Sequence, residues 1–281
     1  MPELPEVETV RRGLAPVIED QVFSRVQIRR KDLRRPFPDG FAKRLQGSKV
    51  VHVRRRAKYL IVETNQDALI WHLGMSGQVR IYRVGEQVPP PGKHDHVQFD
   101  FAHGAAVVFT DPRRFGLMDL CSTEDLAEHP LLKDIGPEPL GNDFSGPVLA
   151  AALKGKRTAI KQAIMDARVV AGVGNIYASE ALFRSGISPK RSATTVQGGR
   201  AEKLAAAIKD VLSAAIEAGG STLRDHRTTD GGLGYFQFSF NVYGREGEAC
   251  PGCDCDISRT QGIQRLEQGG RSTYYCPRKQ R

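Results

Sequence analysis

The chain has 281 residues, 40% hydrophobic and 26% charged, which fits about two folded domains and excludes a disordered, collagenous or coiled-coil protein. No apolar run approaches the roughly 18 residues of a membrane span, and the acidic–apolar opening MPELPEVETVRR is no signal peptide, so the protein is expected in the cytoplasm with cysteines as thiols or metal ligands. The net charge of +9 is segregated: residues 25–58 carry 13 basic and 2 acidic side chains, 148–170 carry 5 and 1, and 259–281 carry 6 and 1, leaving the rest at −11. Such windows suit a polyanion, although solvated charged faces give the same count.

In chain order, Leu4, Val7, Val10 and Leu14 recur at helical spacing, so residues 4–14 are predicted to form an amphipathic helix ending near Gly13. The period then changes. KVVHV (49–53), KYLIVE (58–63), ALIWH (68–72), QVRIY (78–82), HVQFDF (96–101), AAVVFT (105–110) and LMDL (117–120) read as strands separated by short turns, which predicts a sandwich or barrel-like sheet over residues 1–132. Residues 133–147 collect Pro and Gly and read as a linker. Over 148–240, PVLAAAL, TAIKQAIMD, NIYASEALFRSG and AEKLAAAIKDVLSAAIEAGG are helical in pattern, followed by a Gly-rich stretch suited to a mobile functional loop. The tail, 241–281, holds four of the five cysteines.

Chemistry is suggested first at the N-terminus. Removal of Met1 would expose Pro2 as a terminal amine with a pKa of about 7.7–8.0, against about 10.4 for lysine. At neutral pH that amine is a far better nucleophile for imine formation, with Glu3 beside it to move protons. The plainer alternative is that Pro2 opens a helix and Glu3 caps it.

The strings MPELPEVETVRRGL, RRRAKYL (54–60), HLGMSG (72–77), KHDHV (93–97), TDPRRFG (110–116) and AGVGNIYASEALF (171–183) together resemble the bacterial formamidopyrimidine-DNA glycosylase family along essentially the whole chain. The resemblance implies an α+β fold: an N-terminal β-sandwich bearing a catalytic helix, a helical domain with a helix–two-turn–helix motif, and a zinc-finger-like β-hairpin. It implies a monomeric enzyme of base-excision repair that binds damaged double-stranded DNA. Such an enzyme removes oxidised purines (8-oxoguanine and formamidopyrimidines) through a proline Schiff base, then cuts the strand by β,δ-elimination. Pro2, Glu3 and Lys58 match the catalytic positions. Met75, Arg113 and Phe115 match residues that fill the void left by a flipped base, a step the chemistry requires. His94, Arg113, Lys156, Asn175 and Arg271 match DNA-contact positions, and residues 221–235 match a loop closing over the extruded base. His94 and His96 alone are weak evidence for a metal. Two rivals remain open: a nucleic-acid-binding protein that has lost catalysis, and a glycosylase for oxidised pyrimidines.

The tail departs from the family pattern. Cys250 and Cys253 supply one CxxC pair and Cys276 opens the second, but Lys279 stands where the fourth cysteine is expected. An ammonium is a poor ligand for zinc. Cys255, two residues beyond Cys253, offers another thiol on the same side of an extended segment. The expectation is one structural zinc held by Cys250, Cys253, Cys255 and Cys276; the alternative is a zincless finger. Cys121, distant in the β domain, reads as a buried core thiol.

Overall fold

The computed structural model describes residues 2–221, 235–254 and 256–281. Met1, the interior of the expected 221–235 loop and Cys255 lie outside the described residues, and with them the expectations placed on those positions. The chain forms two compact units, Met1–Lys133 with Ala218–Tyr235, and Asp134–Glu217 with Phe236–Arg281.

The first unit begins with helix α1 (Leu4–Ile18). It runs past Gly13 and through Pro16, further than predicted, because Val17 and Ile18 continue the stripe of Leu14, and all three are buried. A proline in the last turn forfeits only one hydrogen bond. Strand β1 (Phe23–Ile28) and helix α2 (Phe41–Leu45) precede a run of antiparallel strands. These are β2 (Val50–Arg56), β3 (Tyr59–Thr64), β4 (Asp67–His72), β5 (Gln78–Tyr82), β6 (Asp95–Phe101), β7 (Ala106–Thr110) and β8 (Leu117–Ser122).

They build two four-stranded sheets, ordered β1-β6-β7-β5 and β2-β3-β4-β8. Between the sheets and α1 lies one apolar core with Leu14, Phe23, Leu60, Trp71, Phe99 and Phe109 at its centre. Trp71 packs edge-on against Phe109, centroids 5.2 Å apart. The chain crosses from one sheet to the other twice at one end, after β4 and after β7. Cys121, on β8, is half-buried rather than in the core. Burial and the nearby carboxylates of Asp119, Asp125 and Asp67 push its thiol up to about 11.

The second unit holds α3 (Gly146–Leu153), α4 (Ile160–Met165), α5 (Asn175–Ser185), α6 (Gly199–Glu217) and the short α7 (Ile257–Thr260). Its hairpin pairs β9 (Gln264–Gln268) with β10 (Arg271–Tyr275). The two connecting residues, Gly269 and Gly270, both have positive φ (58° and 71°), the conformation whose twist matches that of the flanking strands. No helix among the described residues is long and apolar enough to cross a membrane.

Candidate functional site

In the first unit, Glu3 caps α1. Glu6 Oε2 accepts the Glu3 N–H at 2.8 Å, and Glu3 reciprocates toward the Glu6 backbone in a capping box. The plainer role considered for Glu3 is therefore present. Pro2 and Glu3 are both buried. Glu6, also buried, uses Oε1 to accept the backbone N–H and hydroxyl of Ser221 at 2.8 and 3.0 Å. One carboxylate thus fastens the first turn of α1 to the first residue of the 221–235 segment. Sequence reasoning does not single out Glu6; its place three residues after the cap is the available signal.

One turn on, Glu8 receives Arg11, Arg12 and Arg55 at 2.9, 3.1 and 3.2 Å. Burial pushes its carboxyl up, but the three guanidinium groups outweigh that and hold it below the usual range. Arg55 belongs to β2, so this cluster pins the helix to the sheet.

Lys58 is the second residue of the two-residue turn between β2 and β3, flanked by the paired Arg56 and Tyr59. Ala57 before it has φ 52°, and its carbonyl accepts Arg55 Nη1 at 3.0 Å. Beside Tyr59, on β4, lies His72, ring centroids 5.0 Å apart. Burial, with the charges of Lys58 and Arg34, pushes His72 down to about 4. The neutral imidazole accepts the Gly74 N–H on Nδ1 at 2.9 Å.

Met75 sits in the crossover after β4, and Arg113 and Phe115 in the crossover after β7. Met75 is 38% and Phe115 42% exposed, so neither is a core residue. Arg113 stacks its guanidinium over the Phe115 ring at 4.8 Å. The structure brings these three together. His94 precedes β6, and its carbonyl accepts the Asp111 N–H at 3.0 Å. His96 is buried, with Nε2 2.8 Å from the Asp111 carbonyl oxygen, so it serves the fold.

In the second unit, Asn175 is the first residue of α5. It meets a lysine that sequence reasoning passes over. Lys161, 1% exposed on α4, donates to Asn175 Oδ1 at 2.6 Å, to Thr273 Oγ1 at 2.7 Å and to the Ser272 carbonyl at 3.1 Å. Asn175 Nδ2 donates to the same carbonyl at 3.0 Å. A buried ammonium saturated by three oxygens therefore joins two helices to β10 beside Arg271, whose own side chain is exposed. Glu180, one turn along α5 and buried, accepts the backbone N–H groups of Asn241, Val242 and Tyr243 at 2.8–3.0 Å. Lys156 stands apart from this network, in the turn between α3 and α4.

Cys250, Cys253 and Cys276 place their sulfurs within 4.8 Å of one another, the one such cluster among the described residues. The Gly252 and Lys279 backbone N–H groups donate to the Cys250 and Cys276 sulfurs, each at 3.4 Å. Three gathered sulfurs with such donors fit a thiophilic ion such as zinc. Cys250 and Cys276 are free thiols, and the Cys253 sulfur lies 3.5 Å from that of Cys276. Lys279 is no ligand: its ammonium lies 4.0 Å over the Phe183 ring.

Residues 1–118 match the family described as Formamidopyrimidine-DNA glycosylase N-terminal domain, and 135–227 its H2TH domain. Curated relatives called formamidopyrimidine-DNA glycosylase include those of Rhodospirillum centenum, 56% identical, and Rhodospirillum rubrum, 54% identical, each match covering all of both chains. Among solved structures, the Lactococcus lactis enzyme bound to abasic-site DNA is 34% identical, with TM-score 0.88 over the full length of both chains. A mutant of that enzyme bound to Fapy-dG-containing DNA is 33% identical, with TM-score 0.89 over the same span.

Proposed function

The chain belongs to the formamidopyrimidine-DNA glycosylase family, and on that premise we propose how its residues carry out the reaction. It is a base-excision-repair enzyme for oxidised purines and a member of a glycosylase/AP-lyase family. In our reading the processed chain begins at Pro2. Its secondary amine attacks C1′ of the damaged nucleotide, the C1′–N bond breaks, and the base leaves with its electron pair and a proton. Glu3 gives a proton to O4′ as the C1′–O4′ bond breaks and the proline nitrogen lone pair forms the C1′ iminium, and Lys58 neutralises the adjoining phosphate. The iminium so formed acidifies the C2′ proton, and loss of that proton drives elimination of the 3′ phosphate. A second elimination releases the 5′ phosphate.

Met75, Arg113 and Phe115 fill the vacated stack, and the 221–235 loop covers the extruded base. His94, Lys156, Asn175 and Arg271 hold phosphates. Residues 1–132 would thus carry catalysis, 148–240 the phosphate clamp, and 241–281 the hairpin, joined at 133–147. Cys250, Cys253, Cys255 and Cys276 would hold one zinc, which when bound cross-links the hairpin base. The enzyme would act as a monomer in the cytoplasm.

The observation that best supports this reading is the fastening of the N-terminus. Glu6 fixes the Glu3 amide, so the nitrogen one residue earlier belongs to a rigid helix start rather than a frayed end. Reduction with borohydride in the presence of an 8-oxoguanine duplex should trap a covalent complex through Pro2. Retaining Met1 converts that amine to an amide and should abolish trapping; trapping that survives would move the nucleophile to a lysine.

A further inference from the structure

The two crossovers that present Met75, Arg113 and Phe115 are separate stretches of chain, yet the sheet register delivers them side by side. Gln78 of β5 pairs with Thr110 of β7, and His72 of β4 pairs with Leu117 of β8. Both crossovers therefore leave the sandwich at the same end and span the same gap between sheets. What joins them is Asp111, fully buried at 0% exposure. Its Oδ1 accepts the Ser76 hydroxyl at 2.6 Å from the first crossover, and its Oδ2 accepts the Gly116 N–H at 2.7 Å in the second. Ser76 Oγ in turn accepts the Arg113 N–H at 3.2 Å.

The backbones also meet directly. A Cβ on Gly74 would stand 2.4 Å from the Phe115 carbonyl carbon and the Gly116 nitrogen, and Gly74 has φ +70°. Only glycine satisfies both conditions. A buried carboxylate satisfied from two chain segments is costly to disturb, because each freed partner loses its hydrogen bond without regaining water.

We propose that Asp111 and Ser76 are positioning residues that lock Met75, Arg113 and Phe115 into one wedge, so that the three enter the duplex as a unit. The inference rests on the void-filling reading of those three side chains and adds the latch beneath them. Neither latch residue touches DNA in this account. Their effect passes through the geometry of the wedge, and displacement by about an ångström can cost on the order of a hundredfold in rate.

The test compares two substrates. A duplex with 8-oxoguanine leaves a void to fill; a single-stranded abasic oligonucleotide does not, yet still exercises Pro2 chemistry. Ser76→Ala should lower single-turnover excision from the duplex by on the order of tenfold and leave cleavage of the single strand unchanged. Asp111→Asn, which can still bond both partners, should retain most duplex activity, while Asp111→Ala loses it. A fluorescent base analogue opposite the lesion should report slower wedge insertion in Ser76→Ala. Equal losses on both substrates would reveal general disruption and overturn the proposal, as would full duplex activity in a folded Ser76→Ala. Met75→Ala and Phe115→Ala separate the two ideas. If they show no duplex-specific defect, the void-filling reading fails and the latch with it; if they do while Ser76→Ala does not, the latch alone fails.

Discussion

His72 shows how a single side chain near Lys58 is tuned. Its imidazole is pushed down to about 4 by burial and by the charges of Lys58 and Arg34, so at neutral pH it can accept the Gly74 N–H that bends the chain toward Met75. In the unfolded chain the same group titrates near 6.5. Between those values the unfolded state binds the proton that the folded state refuses, so His72 removes stability as pH falls from about 6.5 to 4. Glu8 has the opposite character as a group but the same consequence. Its depressed carboxyl contributes stability above the ordinary carboxylate range and loses it only as acid protonates the folded form. His72→Gln should therefore melt with a shallower pH dependence than the parent between pH 6.5 and 4, with the difference closing near neutrality. An NMR titration should find the His72 ring neutral at pH 5.5; a midpoint near 6.5 would contradict its buried, cation-flanked setting.

At the scale of elements, regular patterns are readable and irregular ones are not. The strands from β2 to β8 alternate or run apolar and stand where the residues predict them. β1 is hidden in the sequence because a register shift between Phe23 and Arg25 breaks its period of two, and the five residues of α2 are too few to show a period. Pro2, Glu3, Met75, Arg113 and Phe115 are legible through their motifs. Glu6, Ser76, Asp111 and Lys161 are not, since each also joins its own segment to a partner 35 to 215 positions away. The tail adds a chemical irregularity. Its cysteine sulfurs pack with Phe183, Val242 and Ile263, and Lys279 spends its charge on the Phe183 ring. In the proposed four-thiolate site Cys255 makes good the missing cysteine. Elemental analysis of reduced, untagged protein should then find about one zinc per chain, and Cys255→Ser should lower zinc affinity. Adding Lys279→Cys to Cys255→Ser should recover it, because that position follows Cys276 at the usual spacing and its N–H already faces the Cys276 sulfur. Active protein free of zinc would sink this assignment.

Across the whole molecule, charge is the property that a nucleic-acid partner reads first. A chain of net +9 with its excess concentrated in three windows gains affinity by releasing counterions from phosphates, and each neutralised phosphate adds about 0.9 to the slope of log affinity against log salt. Only an exposed cation can do this. Arg271 is exposed at the start of β10, whereas Lys161, which reaches the neighbouring Ser272 and Thr273, is buried and already spent on three oxygens. The lysine and arginine charges therefore count differently although composition weighs them equally. Arg271→Ala should weaken binding to damaged and undamaged duplex alike and shallow the salt slope by about one unit. Lys161→Met should also weaken binding, because Asn175 and the β10 backbone lose their shared anchor, but with the slope unchanged. It should cost the fold about 2 kcal/mol, the scale for removing hydrogen bonds to a charged group. Fluorescence anisotropy over a salt series distinguishes the two. If Lys161→Met reduced the slope as Arg271→Ala does, the buried ammonium would have to reach a phosphate when DNA binds, and its role would be contact rather than support.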